Sequence, residues 1–224
     1  MKLLTLNCWF NNHKLEERIT RISEIIIDKN PDIVCLQEVT EYMYKYIYDR
    51  LKNIYNCDIT MWPTKCHHQN VIFSKYPIIS TNIMPLESKQ HKKANIINVE
   101  INKIKIKIIN IHLEAENERS AIRQMCNILA TTNSDQNVIL CGDTNISSED
   151  TELPSEWCDI WKSIGTIDNK YTYDSQNNSF IKDTYRSRLD RIYIKGTKCV
   201  ANKIDMIKEQ VSDHYGLVVD IDVK

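Results

Sequence analysis

Five short apolar runs, each followed or preceded by polar groups of a restricted kind, constrain this chain more than any other feature. Leu3-Leu4-Thr5-Leu6 ends in Asn7, and Ile33-Val34-Cys35-Leu36 ends in Gln37-Glu38. Ile108-Ile109-Asn110-Ile111 ends in His112, and Val138-Ile139-Leu140-Cys141 ends in Gly142-Asp143-Thr144-Asn145. Val211-Ser212-Asp213-His214 stands just before a last apolar run over residues 217–223. Short apolar runs bounded by polar residues read as buried strands. A carboxylate at the mouth of such a strand is costly to desolvate unless a partner compensates it. One such case is ordinarily the chain leaving the core. Repetition with Asn, Glu, His, Asp-x-Asn and Asp-His points instead to strand ends converging on one pocket.

Further strands are predicted at residues 2–8, 32–36, 58–61, 70–74, 78–84, 96–101, 103–112, 138–141 and 189–194. Residues 103–112 alternate Ile and Lys before turning apolar, the pattern of a strand with one wet face that then enters the core. Leu15, Ile19, Ile22 and Ile26 give residues 13–29 helical spacing, as do Ile122, Met125, Cys126 and Leu129 for residues 116–130. A third helix is predicted over 40–51. Strands outnumber helices, and the adjacent strands 96–101 and 103–112 read as a hairpin. The expected class is α/β: a four-layer sandwich of two mixed, mostly antiparallel sheets flanked by helices. No repeat or linker interrupts the pattern, so one catalytic domain is expected over residues 1–224, without an appended module.

Composition limits the partners. The formal net charge is −1, so no global positive field holds a polyanion, and nucleic-acid contact would need a local basic groove. The richness in Ile, Asn, Lys and Tyr reads as an AT-rich coding bias rather than as function. Of the eight cysteines, Cys8, Cys35, Cys126 and Cys141 lie in apolar runs, where Cys acts as a small hydrophobe. Cys57, Cys66, His67 and His68 have zinc-ligand chemistry without a paired C-x-x-C, and are read as loop residues and free thiols. No secretory signal and no run of membrane-spanning length is present, so an intracellular protein without membrane contact is expected.

The polar groups at the strand ends suit one chemistry. Carboxylate and amide oxygens bind Mg²⁺, imidazoles and amides hold phosphate oxygens, and a further carboxylate orients or deprotonates water. At these residues the chain resembles the endonuclease/exonuclease/phosphatase superfamily, and within it the 5′-tyrosyl-DNA phosphodiesterase branch. Thr5-Leu6-Asn7, residues 31–39 (Pro-Asp-Ile-Val-Cys-Leu-Gln-Glu-Val) and Ser212-Asp213-His214 mark the superfamily. His112-Leu113-Glu114, Gly142-Asp143-Thr144-Asn145, Tyr171-Thr172-Tyr173-Asp174, Arg188-Leu189-Asp190-Arg191 and Asp213-His214-Tyr215-Gly216-Leu217 mark the branch.

The resemblance implies a set of catalytic roles. Glu38 would be the main protein ligand of one Mg²⁺ (or Mn²⁺), with Asp213 in the outer coordination sphere. Asp143 would activate water, Asn7 and Asn145 would hold water and phosphate, and His112 and His214 would contact phosphate oxygens. Asp190 would keep His214 charged. The implied reaction is hydrolysis of a 5′-phosphotyrosyl bond between a protein and a DNA or RNA 5′ end, leaving a 5′-phosphate, by a monomer serving repair of topoisomerase adducts. An abasic-site endonuclease, a deadenylase, a phosphatase and a non-catalytic binder of phosphorylated ends remain alternatives. Trp9, Ala115, Tyr173 and Ile146-Ser147 depart from the branch, which usually has Asp, Ser, Trp and a hydrophobic residue followed by Arg there.

Substrate contacts are expected from Tyr173, Arg186, Arg188 and Arg191, within a basic stretch from Lys182 to Lys195 that also holds Tyr185 and Tyr193. A solvated strand with scattered charges is the alternative. His91-Lys92-Lys93 reads as a loop. Some of Tyr42, Tyr44, Tyr46 and Tyr48 must face outward. Trp157 and Trp161, spaced i, i+4, are expected to pack in the core.

Overall fold

In the computed structural model, residues 1–59, 67–149 and 152–224 are described. The strands are β1 (Lys2–Asn7), β2 (Ile33–Val39), β3 (Asn56–Cys57), β4 (Gln69–Ser74), β5 (Ser80–Pro85), β6 (Lys93–Ile101), β7 (Ile104–His112), β8 (Val138–Asp143), β9 (Trp157–Asp159), β10 (Tyr173–Asp174), β11 (Arg186–Ser187), β12 (Asp190–Lys195), β13 (Cys199–Ile207) and β14 (Gly216–Val223). The α-helices are α1 (Leu15–Lys29), α2 (Glu41–Leu51), α3 (Glu118–Thr131) and α4 (Ile160–Ile164). One six-stranded sheet runs β13-β14-β1-β2-β4-β3 and the other β5-β6-β7-β8-β12-β9, with β10 and β11 pairing separately.

Each large sheet is built around one parallel pair, β1 with β2 and β7 with β8, and antiparallel neighbours complete it. A parallel pair needs a crossover. Here α1 and α3 supply the two crossovers. Leu3, Ile33, Ile97, Ile108, Ile139 and Val219 fill the space between the sheets. Ile19, Ile22 and Ile26 of α1, with Met43 and Ile47 of α2, seal the outer face of the first sheet. Ala121, Met125 and Ile128 of α3 seal that of the second. Each Ile or Leu so buried contributes about 1.5–3 kcal/mol. The result is the expected sandwich, helices outside and two mixed sheets within.

Local chemistry fixes the element ends. Thr40 caps α2 by accepting the Met43 N–H at 3.3 Å, and Asn117 caps α3 by accepting that of Ser120 at 3.2 Å. The β6–β7 hairpin turns on Asn102 and Lys103 with φ of 52° and 65°, the left-handed pair that a two-residue hairpin loop requires. Across the sandwich, buried amides replace part of the apolar packing. Asn110 on β7 donates to the Leu36 and Val71 carbonyls of the opposite sheet at 2.9 and 3.0 Å. Gln37 donates back to Asn110 Oδ1 at 2.7 Å and to Thr5 Oγ1 at 3.0 Å. These directional bonds pin the stagger of one sheet against the other. Gly142 is required at this seam: its φ is 130°, and a Cβ there would lie 2.1 Å from the Ile111 carbonyl oxygen.

Several expectations need correction. Trp157 lies on β9 and Trp161 on α4, so their spacing is not that of one helix, although Trp157 is buried. Cys8, Cys35 and Cys141 are buried, but Cys126 is exposed on the outer side of α3. Among the described residues every cysteine is free. Cys66 and the end of the strand expected at 58–61 lie outside the described residues. Among the described residues no helix is long and apolar enough to cross a membrane.

Candidate active site

The carboxyl ends of the two parallel pairs meet at one end of the sandwich. β1 delivers Asn7 and β7 delivers His112, while β8 ends on Asp143, which stands in register with both His112 and Asp190 of β12. The pairing of β2 with β4 shifts register between Leu36 and Val39, and Glu38 has φ 55°. This irregularity re-aims the Glu38 carboxylate out of the ladder, as bulges beside functional sites do. Asn145 follows at φ 50°, and His214 enters from the connection between β13 and β14.

Asp143 is the hub. Its Oδ2 accepts from Asn7 Nδ2 at 2.9 Å, and its Oδ1 accepts the Asn145 N–H at 2.9 Å. The Nε2 atoms of His112 and His214 lie 3.7 and 3.8 Å from Asp143 Oδ2. His214 Nδ1 binds Asp190 Oδ2 at 2.7 Å. Thr172 Oγ1 accepts the Asp190 and Leu189 N–H groups at 2.9 and 3.1 Å, holding the mouth of β12 in place. Glu38 Oε2 accepts the Phe10 N–H at 3.1 Å, while Oε1 stands 3.7 Å from His112 Nε2. Asn145 Nδ2 donates to the Leu113 carbonyl at 3.0 Å.

The two imidazoles sit in opposite electrostatic states. Burial alone would depress His214, but Asp190 and Asp143 outweigh it and hold the ring well above the usual histidine range. Burial pushes His112 down to about 3, and the Lys92 ammonium, with Nζ 2.9 Å from His112 Nε2, adds to the effect. The contact is therefore an ammonium donating to a neutral imidazole. Burial would lift Asp143, yet the charge on His214 and the Asn7 and Asn145 donors keep it below the usual carboxylate range. The group is therefore held as the carboxylate. Burial lifts Glu38 and Asp213, and each is raised further by the Asp143 carboxylate.

Asp143, Asp190 and His214 bring one ligand atom each within 4.8 Å of one another. That trio is a poor cation cage, because the His214–Asp190 hydrogen bond and the raised imidazole pKa give the ring a proton rather than a free lone pair. Glu38 and Asp213 are the better set. Both are hard oxygen donors, mutually repulsive and raised by burial, and the imidazole facing Glu38 is neutral. A divalent cation would supply the missing charge, and hard oxygen donors of this kind fit Mg²⁺ or a similar ion.

The expected substrate contacts divide. Tyr173 stands edge-on to His214, ring centroids 5.3 Å apart, and forms a wall of the site. Arg186 is partly exposed and paired with Asp174 at 2.8 Å, its guanidinium over the Tyr171 ring. Arg188 and Arg191 turn inward and are only 2% and 1% exposed. Arg188 grips Asp159 through Nη1 and Nη2 at 3.0 and 2.9 Å and reaches Glu149 at 2.8 Å. Arg191 donates to the Arg188, Ile146 and Ser148 carbonyls, bracing the segment after Asn145. Lys195 donates to the Thr132 carbonyl at 2.9 Å. The expectation that Arg188 and Arg191 touch substrate is thus corrected: their donors are used inside the fold.

Ser147, standing where the branch usually has Arg, donates to Glu118 at 3.1 Å. Lys92 lies in the loop before β6, as expected, but its ammonium enters the site, which the sequence did not suggest. Its only sequence signal is its place shortly before the strand expected at 96–101. Thr172 was legible as part of a motif, though not as the clamp on Asp190.

The profile of the Endonuclease/Exonuclease/phosphatase family matches residues 4–214. Human Tyrosyl-DNA phosphodiesterase 2 is 23% identical over 94% of this chain, and the 5′-tyrosyl-DNA phosphodiesterase of Caenorhabditis briggsae is 23% identical over 86%. The chain spans 65% and 60% of those relatives' lengths. D. rerio TDP2, solved with a single-strand DNA product, superimposes with a TM-score of 0.91 at 20% identity, covering all of this chain and 99% of the other. A Bacteroides thetaiotaomicron mannosyl-6-phosphatase gives 0.81 at 12% identity, over 99% of each chain. The same backbone thus carries different substrates, and substrate is decided by side chains. With a profile match across nearly its whole length and its polar strand ends gathered around Asp143, the chain belongs to the endonuclease/exonuclease/phosphatase family.

Proposed function

We propose that the chain is a Mg²⁺-dependent phosphodiesterase that hydrolyses the 5′-phosphotyrosyl bond between a protein and a DNA or RNA 5′ end, leaving a 5′-phosphate. The observation that carries the reading is the arrangement around Asp143: a depressed carboxylate held by two donors, between a charged and a neutral imidazole. The relatives named as tyrosyl-DNA phosphodiesterases, matched over most of this chain, support the substrate class.

Asp143 takes a proton from the attacking water, and the Asn7 amide and the Asn145 N–H hold its carboxylate in place for that role. His214, charged by Asp190, donates from Nε2 to a phosphate oxygen and stabilises the added negative charge of the transition state. Lys92 and His112 form the opposing wall, the ammonium supplying charge and the neutral ring supporting it. Glu38 and Asp213 would hold the cation, which supplies Lewis-acid polarisation of the phosphoryl group. A phenol leaves with a pKa of about 10, so strong protonation of the leaving oxygen is not required. Tyr173 forms an aromatic wall beside His214, suited to the face of a base or of the leaving ring.

A 5′-phosphotyrosyl oligonucleotide incubated with the protein and Mg²⁺ tests the reading. Release of tyrosine and a 5′-phosphorylated product is expected, on DNA or RNA. Cleavage confined to an abasic site, a poly(A) tail or a sugar phosphate in the same panel would assign another family activity, and binding without turnover would assign an end-binder.

A further inference from the structure

Residues 8–14, between β1 and α1, have no regular structure, yet they carry the Phe10 N–H that clamps Glu38. The backbone here is unusual, with φ of 56° at Trp9 and 48° at Lys14. Such conformations persist only where their surroundings over-determine them. Arg18, in the first turn of α1, does this. It is 2% exposed, and all five of its guanidinium N–H donors reach main-chain carbonyls. Nε donates to Val211 at 2.8 Å, Nη1 to Asn11 at 2.7 Å and His13 at 3.0 Å, and Nη2 to Cys8 and Trp9 at 2.5 Å each. The Trp9 ring lies across the guanidinium at 4.6 Å.

The acceptors belong to two segments. Four lie between Cys8 and His13, while the fifth, Val211, precedes Ser212-Asp213-His214. Arg18 therefore joins the segment that fixes Glu38 to the segment that carries Asp213. No carboxylate pairs directly with Arg18 among the described residues, although the charges of Asp213 and Glu38 act on it. An arginine that spends its donors on carbonyls lends positive charge to nearby carboxylates without occupying their oxygens. Those lone pairs stay available to a cation.

We propose that Arg18 is a positioning residue for the metal-binding half of the site, setting the Glu38 carboxylate relative to Asp213 through the main chain. The proposal rests on the reading of Glu38 and Asp213 as cation ligands. Lysine offers a point charge with three donors and cannot span five carbonyls in the plane of a fork.

Calorimetric titration of the substrate-free protein with Mg²⁺ is the test, for the parent, Arg18→Lys and Arg18→Gln, with thermal unfolding recorded alongside. Both folded variants are expected to bind Mg²⁺ about tenfold or more weakly, the scale seen when groups that orient metal ligands are removed. At saturating Mg²⁺ most of kcat is expected to return, a split that general loss of structure does not produce. Parent-like Mg²⁺ affinity in both variants would overturn the proposal. If neither variant folds, Trp9→Leu decides, since it removes the ring that holds the guanidinium against its carbonyls: weaker Mg²⁺ binding with a retained thermal transition supports the proposal, and unchanged affinity overturns it. A parent that binds Mg²⁺ but releases no tyrosine sinks the phosphotyrosyl reading and leaves this one standing. A parent that binds no Mg²⁺ overturns both.

Discussion

His112 and His214 stand at similar distances from one carboxylate oxygen, 3.7 and 3.8 Å from Asp143 Oδ2, and are held in opposite charge states. The difference lies behind the rings. His214 has Asp190 at 2.7 Å on its far nitrogen, with Asp143 in front, so two carboxylates favour its proton. His112 has burial and an ammonium at 2.9 Å, and both expel the proton. Two histidines facing the same carboxylate are therefore not duplicates. One is a proton-bearing cation, and the other is a neutral support for a lysine that carries the charge in its place.

The largest expected loss comes from the charged side. Asp190→Asn removes the carboxylate that holds the His214 proton, and kcat at neutral pH is expected to fall on the order of 10²–10³-fold, as for loss of one preorganised donor in the transition state. The raised His214 pKa keeps the ring charged until the pH climbs through it, so the variant's alkaline limb should move to lower pH. A pH–rate profile with an unmoved limb would show that another group carries it.

Lys92→Met is expected to act more mildly, mainly raising KM, because the metal side and His214 remain. Its sharper signature is in the ring: without the ammonium, His112 should titrate above its parent value of about 3 when followed by proton NMR. An unshifted titration would mean that burial alone sets His112.

The smallest effect is in stability, and its sign separates the two residues. His112, depressed in the fold, costs stability as pH falls from its unfolded value near 6.5 toward about 3, since only the unfolded chain then takes the proton. His214, raised in the fold, contributes stability that is complete below about 6.5 and is lost as pH rises through its folded value. Urea unfolding of the metal-free protein should show opposite changes in slope for His112→Asn and His214→Asn, each at most about 1.4 kcal/mol per pH unit. Parallel changes would contradict the asymmetry.

Much of this was legible in the sequence, because hydrophobic runs with polar ends encode both a strand and the place where it stops. Asn7, Glu38, His112, Asp143, Asn145 and His214 were found that way, Asp190 through the motif it shares with the family, and the structure brings them together. What the sequence hid is the direction of long cationic side chains. Arg188, Arg191 and Lys92 all sit beside apolar strands, and nothing in their spacing tells an arginine buried against Asp159 from one reaching for solvent. The partners decide: Asp159 and the Ile146 and Ser148 carbonyls come from distant positions and meet these cations only once the sheets are formed. β13 was missed for a related reason. It is an edge strand with several exposed positions, so its residues lack the apolar run that announced its neighbours.

The amide seam through Asn110 and Gln37 has a kinetic consequence. Glu38 and Asn7 reside on one sheet, and His112, Asp143 and Asp190 on the other, so neither sheet alone contains a working half-reaction. Contacts between residues as far apart as 7 and 143 close large loops, and such long-range pairings form slowly. Activity on refolding is thus a clock for the docking of the sheets. It starts only when the last long loop is closed, however early the strands themselves have formed.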